Sequence, residues 1–286
     1  MEFEKFKGIF NETIFEKSKI ALVEKIAKYP SRYIGLFRPT KPKAKILQNL
    51  LQSHEIRFGD AFETLIEEYL RELGFKILDK KFSADNGDKL NVDQCFSKKE
   101  KVFFIEQKVR DDHDSSKKRG QIDNFEKKLN VIINEKGEKN LIGIFYFIDP
   151  ELRKNKNYYI TALEKMSKDY GVKLYLLYGK ELFEFLVLNG IWEEILNHLE
   201  KWKQEIPELP ETNFDLDAKE SFEDIKDLNP TYFRKLFQNE EIFNEIILTI
   251  FPEKKTLNLL LEFFERKSKE KIIYKTLSEL LKKRLK

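Results

Sequence analysis

Cysteine and histidine are scarce in this chain of 286 residues, and their scarcity excludes two kinds of scaffold at once. A single cysteine, Cys95, cannot form an intrachain disulfide, and His54, His113 and His198 lie too far apart to make a structural zinc site. Any metal ion must therefore be held by oxygen. Cys95 has no histidine near it in the chain and reads as a small buried residue, not a nucleophile. No apolar run reaches the roughly 18 to 20 residues of a membrane helix. The opening MEFEKFKGIF carries acids and lacks the basic-then-apolar order of a signal peptide. A soluble cytoplasmic protein without membrane contact is expected. Charge of one sign is missing too: 53 Lys and Arg face 50 Asp and Glu, leaving +3. That balance neither requires nor excludes a polyanionic partner, because binding follows local clusters and not the sum.

What is abundant is charge of both signs, 36% of residues, on a chain that keeps 41% apolar residues. This is the composition of a globular protein with a densely charged surface. The excess of Lys, Glu and Ile fits either a hot-growing source or an AT-rich genome. Residues 1–57 carry helical apolar spacing (Phe3, Phe6, Ile9, Phe10), broken at Tyr29-Pro30-Ser31 and at Arg38 to Pro42, and read as a helical N-terminal region. From Phe58 a helix of about four turns runs to a Gly74 cap. Three β-rich segments follow, Phe75–Phe82, Leu90–Phe96 and Lys101–Val109, expected as adjacent antiparallel strands. Next come a polar stretch, a helix through Ile122 to Ile133, a strand Leu141–Ile148, a helix Tyr158–Tyr170, a strand Val172–Tyr178 and a helix from Glu181 to about Trp202. This order predicts an α/β fold over 58–202, a central mixed five-stranded sheet flanked by helices. Within residues 203–286, 203–225 read as a linker or ordered loop and 229–286 as a helical C-terminal region, whose last helix has a basic side that reads first as a solvated face.

The third strand holds the chemistry. In KVFFIEQKVR, Glu106 and Lys108 stand two apart, so both side chains leave one face of the strand. A hairpin turning about Lys98-Lys99 pairs residues whose numbers sum to about 197, setting Asp93 opposite residue 104 and diagonal to Glu106. Two carboxylates and an ammonium would then converge. Two carboxylates can hold Mg²⁺ through oxygen, with Mn²⁺ as a substitute. The ion polarises a phosphodiester and acidifies a bound water, and the lysine offsets charge building on phosphorus. Alone, an E-X-K triplet in so charged a chain reads as a surface salt bridge; the acid on the preceding strand and the order of elements raise it above that.

VDQCF, followed thirteen residues after Asp93 by IEQK, resembles the PD-(D/E)XK nuclease superfamily, with Val92 where the nominal proline stands. The resemblance spans roughly residues 58 to 190. It implies Asp93, Glu106 and Lys108 as catalytic residues, with Asp93 and Glu106 as metal ligands. It also implies a further acid from the preceding helix, for which Glu63 is chosen, with Glu67 one turn later on the same face. Within the superfamily, VRDDHDSSKKRGQIDNF resembles the stretch after the catalytic strand of type II restriction endonucleases, and LYGKELFEFL resembles a terminal core segment of such enzymes. Arg110, Asp112, His113, Asp114, Ser116, Lys117, Lys118, Arg119 and Gln121 supply the donors and acceptors that base edges and phosphates require. The competing reading is a solvated loop capped by Asp114 or Ser115 at the next helix.

Together these features lead to a Mg²⁺-dependent, sequence-specific endonuclease of double-stranded DNA, acting as a homodimer on a palindrome and accompanied by a methyltransferase of the same specificity. A repair or junction-resolving nuclease of the same fold, and a non-catalytic DNA-binding protein, are the alternatives.

Overall fold

The computed structural model describes residues 1–16, 18–83 and 89–286. Two compact units emerge: Met1–Ile9 with Gly59–Glu205, and Phe10–Phe58 with Ile206–Lys286. No described helix is long and apolar enough to cross a membrane.

The first unit is α/β. Its sheet has five strands in the order β1 (Lys76–Ile77), β4 (Gln94–Lys98), β5 (Lys101–Lys108), β6 (Leu141–Phe147), β7 (Lys173–Tyr178). The β1–β4–β5 part is antiparallel and β5–β6–β7 is parallel. The parallel joins need crossovers, supplied by helices Ser115–Lys136 (α4) and Lys156–Tyr170 (α5). The run Leu141 to Phe147 is buried at every position, as a central parallel strand covered on both faces demands. Phe104, Phe125, Phe145, Phe147, Tyr159 and Tyr178 form a continuous aromatic core between the sheet and these helices. Gly143 sits in register between Phe104 and Leu174, and a Cβ there would come within 2.6 Å of both side chains. Cys95 is buried opposite Phe104.

Several expected boundaries move. The segment 75–82 is not one strand: a turn in which the Lys81 amide donates to Asp79 Oδ1 (2.9 Å) splits it into β1 and β2 (Lys81–Ser83). The segment 90–96 likewise divides into β3 (Lys89–Asn91), which pairs with β2 in a separate ribbon, and β4. The Val92 amide, donating to the Lys80 carbonyl (3.0 Å), ends that ribbon just before Asp93. The hairpin turns at Lys99-Glu100, with Lys99 in the left-handed region at φ 56°, and Cys95 pairs with Phe104. The register therefore sums to 199 and, extended by one residue beyond Gln94–Ile105, sets Asp93 level with Glu106. The helix expected from Phe58 is the second half of α3 (Pro42–Glu72), 31 residues long. Gly59 does not interrupt it, and lies against the Val109 side chain. The helix expected from Glu181 to Trp202 is two, α6 (Glu181–Phe185) and α7 (Ile191–Glu205), parted where Val187 (φ 59°) and Gly190 (φ 80°) turn left-handed.

The second unit is helical. Its core joins residues of α2 (Ser18–Lys28) and the first half of α3 to residues after Ile206, among them Ile46, Phe214, Phe233, Phe264 and Leu281. Of the linker or ordered loop expected over 203–225, Phe214 belongs to that core and the last part is a helix, α8 (Ala218–Ile225), which starts at Asp217, whose carboxylate accepts from the Glu220 amide.

Candidate active site

β5 carries two lines of side chains to the site, because successive residues leave opposite faces. Gln107 and Gln94 reach α3, donating to the carbonyls of Gly59 (3.3 Å) and Glu63 (2.6 Å). They fix the turn of α3 that bears Glu63. Glu106, on the other face, meets α4: its Oε2 is engaged by the ammonium of Lys128, and Asn124 approaches Oε1 at 3.5 Å. Lys108 Nζ donates to Glu106 Oε1 (2.8 Å) and to the Gln107 carbonyl (2.7 Å), and lies 3.6 Å from Asp93 Oδ2. Asp93 in turn accepts from the Gln107 amide (2.5 Å). Lys108 thus stands between the two carboxylates, and Glu106 is only 2% exposed.

Electrostatics mark this cluster. Burial, and then the neighbouring Glu106 charge, raise the Asp93 carboxyl above its ordinary range, against the pull of Lys108 and the Gln107 amide. Glu63 is pushed up to about 8, by burial first and by Asp93 next. Burial opposes the charge of Lys108, yet Glu106 and Asp93 outweigh it and raise its pKa. Glu67, one turn after Glu63, behaves differently. Although burial opposes its ionisation, hydrogen bonds from Arg71 (2.6 Å) and Lys80 (3.0 Å) hold its carboxyl low. Among the described residues no three His, Cys, Asp or Glu converge as a finished metal-ion ligand set. Glu106 faces α4 while Glu63 arrives on α3, which accounts for that.

The basic stretch after β5 divides. Asp114 is the N-cap of α4, its carboxylate accepting from the Ser116 and Lys117 amides (3.0 and 2.9 Å), and these hydrogen bonds lower its pKa. Ser116, Lys117, Lys118, Arg119 and Gln121 therefore ride on the helix and not in a loop. Lys118 lies over the Tyr158 ring, and Gln121 accepts from the Tyr159 hydroxyl. Arg110, Asp112, Ser116, Lys117 and Arg119 are exposed. Half-buried His113 lies 3.5 Å from Asp112, and its pKa is lowered by burial and then by Lys117. The loop bearing these residues is pinned by Asp111, fully buried, which accepts from the Asn155 amide and side chain and from the Tyr178 hydroxyl.

Lys128, Asn124 and Asp111 escaped the sequence reading. Asn124 and Lys128 stand four apart on α4, beside the apolar stripe Ile122, Phe125, Leu129 and Ile132. Their spacing beside that stripe was the only signal in the sequence, and burial of Lys128 is visible only in the structure.

A mixed sheet with an acid ahead of its second long strand and E-X-K at the end of that strand defines a PD-(D/E)XK-type nuclease. The sequence model of the family described as "Type II restriction endonuclease, HinfI" matches residues 3–91 and 76–203. The chain therefore belongs to the HinfI family of type II restriction endonucleases, site-specific deoxyribonucleases. No curated protein and no solved structure matches the chain.

Proposed function

We propose that the chain is a Mg²⁺-dependent endonuclease that hydrolyses double-stranded DNA at a specific sequence, with the chemistry in the α/β region 58–202. The observation that carries this reading is Lys108 standing 2.8 Å from Glu106 and 3.6 Å from Asp93. The donor set suits a hard cation: every candidate ligand is a carboxylate oxygen, and burial, then the neighbouring carboxylate, holds Asp93 and Glu63 above their ordinary pKa. Asp93 and Glu106 would hold Mg²⁺, or Mn²⁺ in its place, with Glu63 as the third acid. Mg²⁺ is commonly bound by one or two carboxylates plus substrate phosphate and water, so a complete protein cage is not required. Bound there, the ion would polarise the phosphodiester and acidify a water.

The chain's own residues do the rest. Lys108, a donor only, orients the attacking water and offsets the charge that gathers on the phosphoryl oxygens as the water oxygen bonds to phosphorus and a P–O bond to sugar breaks. Lys128 and Asn124 hold the Glu106 carboxylate. Arg110, Asp112, His113, Ser116, Lys117, Lys118, Arg119 and Gln121 contact DNA, while Asp114 acts through its cap, ordering the first turn of α4. The active form is a cytoplasmic homodimer, one site for each strand, working opposite a methyltransferase of the same specificity that protects the host. Incubating unmethylated phage DNA with the protein and Mg²⁺, then sequencing the fragment ends, tests the proposal. Discrete fragments sharing one end sequence are expected; DNA left intact by the wild type, or cut equally by Glu106→Gln, overturns it.

A further inference from the structure

The second unit carries a feature that the site does not use. From Lys25 to His54 the chain contains no Asp or Glu, although 50 acids are spread over the whole, and seven Lys and Arg fall there. Near its middle the Arg38 amide donates to the Gly35 carbonyl (3.2 Å), closing a turn whose two central residues are Leu36 and Phe37. Those side chains are 93% and 96% exposed. Turn centres normally hold Gly, Asn, Asp, Ser or Pro, and two large apolar groups there lose hydration free energy with no packing in return. The turn is anchored on both sides. Tyr33, 1% exposed, and Ile46, fully buried, belong to the helical core, and Gly35 supplies the bend at φ 137°. Exposed Arg38, Lys41 and Lys43 have no ion-pair partner among the described residues, and the first turn of α3 contains no acid.

We propose that Leu36 and Phe37 form a wedge that enters the minor groove of duplex DNA and opens a base step, while Arg38, Lys41 and Lys43 hold the flanking phosphates. Apolar side chains inserted between base steps are a known way to kink a duplex, and cations beside them supply the affinity that offsets unstacking. The acid-free stretch of chain, with these cations unpaired among the described residues, suits a polyanion. The inference rests on duplex DNA being the substrate, and it adds to the nuclease a second contact that senses how readily a step deforms.

The test uses the full chain without metal, so that no cleavage occurs, on an alternating dA·dT duplex with 2-aminopurine in place of adenine at single steps. Wild type is expected to raise the 2-aminopurine fluorescence. Leu36→Ser and Phe37→Ser each abolish that rise and weaken binding about tenfold, with the salt dependence unchanged. Arg38→Gln, Lys41→Gln and Lys43→Gln each lower the slope of log affinity against log salt by about one. Both positions of the wedge are fully solvated, so their substitution leaves the fold intact. Undiminished affinity and fluorescence in both serine variants overturn the proposal, as does wild-type association with anionic phospholipid vesicles that both variants lose while their DNA binding is kept. Wild-type cleavage with Mg²⁺ is scored on the same preparation. Cleavage with unchanged binding by the variants overturns the wedge alone, and wedge-dependent binding without cleavage overturns the nuclease reading alone.

Discussion

Two carboxylates are buried among the described residues of the α/β unit, Asp111 and Glu106, and they are buried in opposite ways. Asp111 accepts from three neutral donors, the Asn155 amide and side chain and the Tyr178 hydroxyl, at 2.9 to 3.0 Å. Glu106 is met by two ammonium groups and lies next to a second acid whose pKa it raises. A buried carboxylate bonded by neutral groups from a neighbouring helix and strand holds a loop in place; one held by two ammonium groups beside another acid carries a concentration of charge that a structural anchor does not need. Burial alone would have ranked the two alike.

The contrast breaks first at Glu106→Gln. The near-isosteric amide keeps the volume and removes the charge, so cleavage of a mapped site is expected to fall by about 10²–10³-fold or more with an unchanged circular dichroism spectrum. A variant that still cuts would make Glu106 another Asp111. Asp111→Ala has the reverse signature. It removes the acceptor of the Asn155 amide and the Tyr178 hydroxyl and is expected to cost about 2–4 kcal/mol in urea denaturation, with cleavage falling far less than in Glu106→Gln wherever the variant is kept folded.

Glu63 and Glu67 repeat the comparison one helical turn apart. A carboxyl raised from 4.5 to about 8 binds its proton more tightly in the folded state, so folding stability falls as pH rises through that interval. Glu63→Gln is expected to flatten this decline, raising Tm above wild type at the alkaline end and matching it at the acid end. For Glu67 the shift is downward, so its contribution is present when it is ionised and is lost as pH falls. Its partner Arg71 is exposed and Lys80 partly so, and Glu67→Gln should change stability by under about 1 kcal/mol and leave cleavage as it was. A large loss of cleavage at Glu67 would exchange the roles of the two.

How far the sequence carried these conclusions depends on the kind of signal. Runs rich in β-branched and aromatic residues located β5, β6 and β7 within about a residue, and β6, covered on both faces, is apolar throughout. The same signal failed at 75–82 and 90–96, where an Asp79 turn and the Val92 contact with Lys80 cut the strands by local hydrogen bonding that residue composition does not register. Counting the hairpin from Lys98-Lys99 missed the register by two, since the turn residues are Lys99 and Glu100, and a lysine at positive φ has no marker. The α3 boundary went wrong because the prolines at 39 and 42 suggested a break and the clear helical spacing was taken to start at Phe58, while Pro42 opens a helix that runs on through Phe58. The grouping of Asp93, Glu106 and Lys108 was legible because all three sit on or beside one hairpin. Lys128 and Asp111 were not, because their partners are 22 and 44 or more residues away.

The buried thiol of Cys95 has a practical consequence. Burial pushes its pKa up to about 11, so near neutral pH it is both inaccessible and almost wholly protonated, the form that does not attack electrophiles. With no second cysteine in the chain, any cysteine introduced at the surface becomes the sole reactive sulfur. Phe37→Cys would accept a fluorophore at that point alone, without first removing Cys95, and the molecule therefore comes ready for single-site labelling.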